Sequence, residues 1–159
     1  MLKEPYKILR IEPEHCNALA LIHSECFQEQ AWSQSIFENF FTSNNDWGFL
    51  FGWIVFESNQ PCGFILTRKI AQECEILTFA VRPIYRRVGI GRVLLKKLLA
   101  KAMVPIFLEV AVDNIAAINL YQSQDFKVLT IRHNYYDPKL PGEPKKDAYL
   151  MRRMPLPPK

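Results

Sequence analysis

Glu109 is the residue most in need of a chemical explanation, because it interrupts Ile106-Phe107-Leu108-Glu109-Val110-Ala111-Val112, a run otherwise apolar on both faces. Such a run is expected at the centre of a sheet. A carboxylate there either pairs with an arginine, marks the solvent-facing edge of a cleft, or acts as a general base. In the last case partial desolvation raises its pKa toward the pH at which it accepts a proton. Tyr121 follows Asn114 by two helical turns, so a helix starting beside the strand end would hold its phenol over the same cleft. Ordinary packing of an aromatic residue on a helix face is the competing reading of Tyr121.

A second chemical signal is Arg86-Arg87-Val88-Gly89-Ile90-Gly91, which lies between a strand-like run, Ile76 to Val81, and a helix-like one. Two glycines let backbone N–H groups approach a phosphate, the helix adds its positive end, and the arginines add charge. The expected ligand is a pyrophosphate. Neither Gly-x-Gly-x-x-Gly nor a Walker loop occurs in the chain.

The elements that must position these groups follow from periodicity. Tyr6 to Ile11 alternates as a strand, Pro13 opens a helix toward Phe27, and Ser33 caps a second helix through Phe41. Gly48 to Glu57 and Cys62 to Ile70 form an antiparallel pair about a turn at Ser58-Asn59-Gln60-Pro61. Glu73 to Val81, the helix Gly89 to Ala102 and Ile106 to Val112 make a right-handed parallel crossover. In that helix Leu94, Leu95, Leu98 and Leu99 line one side. Asn114 caps a helix from Ile115 to Gln124, and Asp125 is suited to a left-handed end. Phe126 to Tyr135 and Ala148 to Met154 are the final strands, joined by the loop Asp137 to Lys146. The predicted fold is α/β (α+β), a single domain whose mixed central sheet of about seven strands is flanked by about four helices. That domain spans residues 1–154, and the proline-rich residues 155–159 form a loose tail.

Composition bounds the function. The 159 residues are 49% apolar with a net charge of +4, which fits a globular domain receiving an anionic ligand and gives no case for nucleic-acid binding. The scattered Lys139, Lys145, Lys146, Arg152 and Arg153 read as a solvated face, not a ribosome-binding one. The N-terminal residues carry no signal-peptide pattern, and the longest apolar run, Phe49 to Phe56, is too short to span a bilayer, so no membrane association and a cytoplasmic location are expected. Cys16, Cys26, Cys62 and Cys74 show no zinc-type spacing and read as reduced thiols; no metal is expected. Cys74 has no histidine nearby in sequence and lies before the Ile76 to Val81 run, which argues against a role as covalent nucleophile.

Arg-x-x-Gly-x-Gly after a strand resembles the acyl-coenzyme-A loop of the GNAT acetyltransferase superfamily. Together with Ile76 to Val81, Phe107-Leu108-Glu109-Val110, Asn114, Leu120-Tyr121 and Arg132-His133-Asn134-Tyr135-Tyr136, it makes residues 70–151 similar to the RimI-like ribosomal-protein-alanine N-acetyltransferases. The resemblance implies acetyl-CoA as co-substrate, with Glu109 as base for the amine and Tyr121 as acid for the coenzyme A thiolate. It implies backbone contacts from Phe79, Ala80 and Val81 to the cofactor, and a pyrophosphate cradle at Arg86, Arg87, Val88, Gly89, Ile90, Gly91 and Arg92. Asn114 would add a further cofactor contact, and Trp32, Tyr135 and Tyr136 would line the peptide entrance, where packing is an equal reading. The implied acceptor is a protein N-terminus, the alanine of ribosomal protein S18. Three positions depart from the family pattern: Thr78 for a frequent asparagine, Ala111 for a frequent arginine, and Asp125 for the usual glycine.

Amine chemistry agrees with that acceptor. An α-amine of pKa about 7.7 to 8.0 is roughly a tenth neutral at pH 7, whereas a lysine near 10.4 is well below a thousandth neutral, so one carboxylate suffices more easily for the former. A small amine, an internal lysine, or an acyl-CoA-binding module without turnover are the alternatives.

Overall fold

The structure, a computed structural model, describes Leu2, residues 4–43 and residues 48–157. Its strands are β1 (Tyr6–Arg10), β2 (Phe49–Glu57), β3 (Gln60–Ile70), β4 (Glu73–Val81), β5 (Ile106–Ala111), β6 (Lys127–Tyr136) and β7 (Lys146–Arg153). Its α-helices, among the described residues, are α1 (Cys16–Phe27), α2 (Gln34–Thr42), α3 (Ile90–Lys101) and α4 (Ile115–Gln122). The strands form one mixed seven-stranded sheet in the order β1-β2-β3-β4-β5-β7-β6. The expected class and element order therefore hold.

Several boundaries shift for local reasons. Pro13 opens a 3-10 turn, Pro13–His15, not the α-helix itself, which starts at Cys16. The backbone N–H of Glu12 donates to His15 Nδ1 across that turn. Ser33 occupies the cap position of α2, yet its hydroxyl bonds Ser35 Oγ at 2.9 Å in place of a backbone N–H. The hairpin loop is only Ser58-Asn59, both at positive φ, so β3 starts at Gln60; a register shift between Val55 and Phe56 absorbs the extra residue. β7 starts at Lys146, two residues earlier than expected, because Tyr136 pairs with Lys146. Pro155, Leu156 and Pro157 carry no regular structure, and residues 158–159 of the expected tail lie outside the described ones.

Contacts between residues cluster into two compact units: residues 1–71 with 76–101, and residues 72–75 with 102–159. In the first unit, Leu19, Ile22, Phe37, Ile54, Phe64 and Leu66 form a fully buried core joined by Ala80. His23 is buried in this core at 3% exposure, its ring 5.0 Å from Trp32 and nearly parallel to it. Its Nδ1 accepts the Trp32 backbone N–H at 2.9 Å, and burial lowers its pKa from 6.5 to about 4. The ring is therefore neutral, with its proton on Nε2. In the second unit, β5 pairs antiparallel with β7 and β7 with β6, and Leu108, Val110, Ala148 and Met151 are buried. β5 also pairs in parallel with the start of β4, at Cys74 to Ile106 and Glu75 to Phe107.

Candidate active site

The glycine loop belongs to the first unit and is built from backbone. After β4, Pro83–Tyr85 forms a 3-10 turn, Arg87 takes φ 68° and Gly89 φ 94°, and the chain enters α3 at Ile90. A Cβ on Gly89 would meet nothing within 4 Å, so glycine serves backbone geometry there and leaves the surface open for a ligand. The first helical bond runs from Val93 N–H to Gly89 C=O at 3.0 Å. The preceding N–H groups of the first turn have no carbonyl of the helix to bond, which is the arrangement that receives an anion.

What holds this loop was invisible in the motif. Gly63 of β3 lies so close that a Cβ there would sit 2.9 Å from Ala80 O and 3.2 Å from Ile90 Cγ2. Arg82 makes a two-pronged ion pair with Glu25 of α1, both bonds 2.8 Å, and also donates to Pro61 O at 2.9 Å. The Arg82 guanidinium lowers the Glu25 pKa below the ordinary carboxylate value. Arg86, expected in the phosphate cradle, turns back on the protein: Nε donates to Val81 O at 2.9 Å, and a terminal nitrogen lies 3.8 Å from Cys26 Sγ. Cys26 Sγ also donates to Val81 O at 3.3 Å, so the carbonyl that ends β4 is doubly held. Burial raises the Cys26 pKa, which keeps it a thiol. No signal in the sequence linked Glu25 or Cys26 to residues so far along the chain.

Phe79 and Val81 are half-buried, and Ala80 is buried against the core. Thr78, one of the departures from the family pattern, is buried, and its Oγ1 has no hydrogen-bond partner among the described residues. Trp32 packs with Phe37 and Phe40 at centroid distances of 5.7 and 5.6 Å, so its position is explained by aromatic packing around His23.

The second unit gathers side chains instead. The Glu109 side chain is 14% exposed, and Arg132 Nε lies 3.4 Å from its Oε1. The arginine partner weighed as one reading of Glu109 is thus present, and a cation at that distance favours an ionised carboxylate. The Tyr136 hydroxyl donates to the Glu109 backbone carbonyl at 3.3 Å, and its pKa is raised by burial, then by Tyr135 and Glu109. Tyr135 meets Tyr136 edge-on at 4.8 Å, and the Arg132 guanidinium stands 5.9 Å from the Tyr135 ring. Tyr121 is buried on α4 beside Phe126, 5.6 Å away, and its pKa is raised by burial first and by Tyr136 second. Its phenol therefore holds its proton at neutral pH. Asn114 caps α4 by accepting the Ala117 N–H at 3.2 Å, which leaves its side-chain NH2 free of that duty.

A bulge aims the two tyrosines. Arg132 pairs with Ala148 and Tyr136 with Lys146, so His133, Asn134 and Tyr135 stand opposite Asp147 alone. Asp147 accepts the Asn134 N–H at 2.9 Å and pairs with His133 Nδ1 at 3.0 Å, with Asn134 at φ 54°. Asp125 is left-handed at φ 67°, as its sequence position required. Among the described residues no His, Cys, Asp or Glu cluster has the makings of a metal site, and no helix is long and apolar enough to cross a membrane.

Residues 16–126 match the model of the Acetyltransferase (GNAT) family. The chain is 36% identical over 99 residues to the [ribosomal protein bS18]-alanine N-acetyltransferase of Escherichia coli K12, a match covering 60% of this chain and 65% of that protein. It is 45% identical over 83 residues to the N-alpha-acetyltransferase RimI of Mycobacterium tuberculosis, covering 51% and 49% respectively. These matches thus span less than two thirds of each relative. In three dimensions the crystal structure of the E. coli ribosomal-protein-S18-alanine N-acetyltransferase superposes with a TM-score of 0.81 at 26% identity, over 97% of this chain and 96% of that one. A structure of Arabidopsis thaliana NAA60 with a bisubstrate analogue shares the fold at TM-score 0.75 and 20% identity, over 94% and 97%. The chain belongs to the GNAT acetyltransferase family.

Proposed function

We propose that this protein transfers acetyl from acetyl-CoA to the α-amine of a protein N-terminus in the cytoplasm, with the N-terminal alanine of ribosomal protein S18 as acceptor. The carrying observation is the shielded Glu109 carboxylate, held beside Arg132 and the tyrosines of β6. In this reading the glycine loop, from Arg87 to Arg92 with support from Arg86, receives the pyrophosphate on backbone N–H groups. Phe79, Ala80 and Val81 bind the pantetheine through backbone and stabilise the oxyanion, and the Asn114 NH2 adds a cofactor contact.

The amine nitrogen attacks the thioester carbonyl and forms a C–N bond. Glu109 takes the proton that nitrogen sheds, directly or through water. Collapse of the tetrahedral intermediate breaks the C–S bond, and Tyr121, protonated at working pH, delivers a proton to sulfur. The products are an amide and the free thiol of coenzyme A, with no covalent enzyme intermediate. Tyr135 and Tyr136 are assigned to the acceptor peptide.

Incubation with labelled acetyl-CoA and two peptides tests this function. One peptide has a free S18-type N-terminal alanine; the other is its N-blocked, lysine-containing counterpart. Label on the free-amine peptide alone is expected, and label on the blocked peptide alone would overturn the N-terminal assignment in favour of lysine acetylation.

A further inference from the structure

Arg132 reaches Glu109 from two strands away, and the residues between them are built to let it pass. Ala111 of β5 pairs with Ala148 of β7, and Ala148 pairs with Arg132 of β6. Paired residues share a sheet face, so the three side chains form one row. Glu109 lies two residues from Ala111 and hence on that same face. Adjacent strands are about 4.8 Å apart, so the guanidinium must cross roughly 10 Å of sheet, over β7, to meet the carboxylate. Ala148, fully buried, and Leu150, which pairs with Glu109, are the β7 residues on that face that flank the path. A branched or long side chain at position 148 would occupy the path, and one at 111 would crowd its end. The bulge opposite Asp147 then brings the Tyr135 ring back over the guanidinium, fixing it from above.

We propose that Arg132 is a positioning residue for the Glu109 carboxylate, delivered across the small-residue row of Ala148 and Ala111, which fixes its orientation and keeps it ionised to receive the acceptor's proton. The inference rests on the reading of Glu109 as the base. It gives Ala111, where the family pattern often has arginine, a consequence: with no cation at that position, the one beside the base is Arg132 of β6. Other ionisable groups around the pair are Tyr135 and Tyr136 on β6 and Glu75 on β4, the last acting on Tyr135 together with Glu109.

The test is the pH dependence of kcat for Arg132→Ala and Arg132→Lys with a free N-terminal peptide and saturating acetyl-CoA. An adjacent cation lowers a carboxylate pKa, so its removal raises the pH at which the base becomes ionised. Because Arg132 is half-exposed, solvent screening reduces the effect. For Arg132→Ala the acidic limb should move up by about half a unit, with kcat about tenfold lower and the acetyl-CoA KM within about twofold. Arg132→Lys, which keeps the charge, should leave the limb within about a fifth of a unit of the parent. An unmoved limb in Arg132→Ala, or an equal displacement in both variants, would overturn the assignment. Glu109→Gln run alongside separates the two claims: full turnover there removes the base itself, whereas an inactive Glu109→Gln with an unmoved Arg132→Ala limb removes only the role of Arg132.

Discussion

The proposed chemistry rests on main chain in the first unit and on side chains in the second. In the first, the loop's shape comes from left-handed Arg87 and Gly89, the open start of α3, and the close approach of Gly63. Charged residues beside it, Arg82 and Arg86, are spent on Glu25, Pro61 O and Val81 O. In the second unit β5, β7 and β6 form an antiparallel ladder with two register shifts in β6, and the proposed chemistry falls to Glu109, Arg132, Tyr135, Tyr136 and Tyr121. Backbone suits an anion common to many enzymes, because N–H groups recognise phosphate whatever is attached to it. A proton transfer needs one carboxylate at one protonation state, which only a side chain in a chosen environment provides.

Substitutions should therefore act differently in the two places, and Glu109→Gln should show the largest effect. Turnover is expected to fall at least about a hundredfold, with the acetyl-CoA KM changed less than about threefold. Steady-state kinetics with both substrates varied measures the split. Retention of more than a tenth of the parent kcat would mean that another group takes the proton, and the contrast between the units would collapse.

Acid should separate them next. His23 is held neutral in the first unit, with a pKa of about 4 against 6.5 when exposed. Between those values the unfolded chain binds a proton that the folded one refuses, so stability is complete above about 6.5 and falls as pH drops toward 4. The expected loss from this group between pH 7 and pH 5 is ~2 kcal/mol. Amide hydrogen exchange should report it first around α1 and α2, ahead of β5 and β7. His23→Gln should flatten the pH dependence; a parent and variant with the same slope would show that His23 is not its source.

The contrast also explains what the sequence could reveal. The shape of the glycine loop was legible because it depends on consecutive residues, and Asp125 because left-handed geometry restricts residue type locally. Glu109 stood out as a charge in an apolar strand. Its partner was harder to see: Arg132 sits in a quoted motif, but its pairing with Glu109 depends on a three-strand register and on two alanines that carry no chemical signal of their own. Arg82 with Glu25, and Cys26 with Val81 O, are further cases in which the meaning lies in packing that brings distant segments together. Ser33 shows the opposite limit, where the right residue type at a cap position finds a different partner in Ser35.

Arg87→Ala should weaken the donor side more gently. Arg87 is exposed and left-handed, beside N–H groups that remain in the variant, so losing one charge should raise the acetyl-CoA KM about tenfold with kcat within twofold. A fall in kcat with unchanged KM would place Arg87 in the chemical step and blur the division between the units.

The smallest effect belongs to the Arg82 clamp, and it shows how far the loop depends on what braces it. Glu25 is partly exposed at 34%, so its two-pronged pair with Arg82 should contribute only ~1 kcal/mol. Glu25→Gln should therefore lower the thermal midpoint by about 2 to 4 °C at neutral pH. The Glu25 pKa is lowered in the folded state, so this contribution is present above the ordinary carboxylate range and lost as pH falls through the folded value. The midpoints of parent and variant should converge in acid. Because Arg82 follows directly on Val81, the same substitution should raise the acetyl-CoA KM by about twofold while leaving kcat alone. If the midpoint drops and KM stays fixed, the clamp supports the fold without shaping the loop, and the backbone of the glycine motif is self-sufficient.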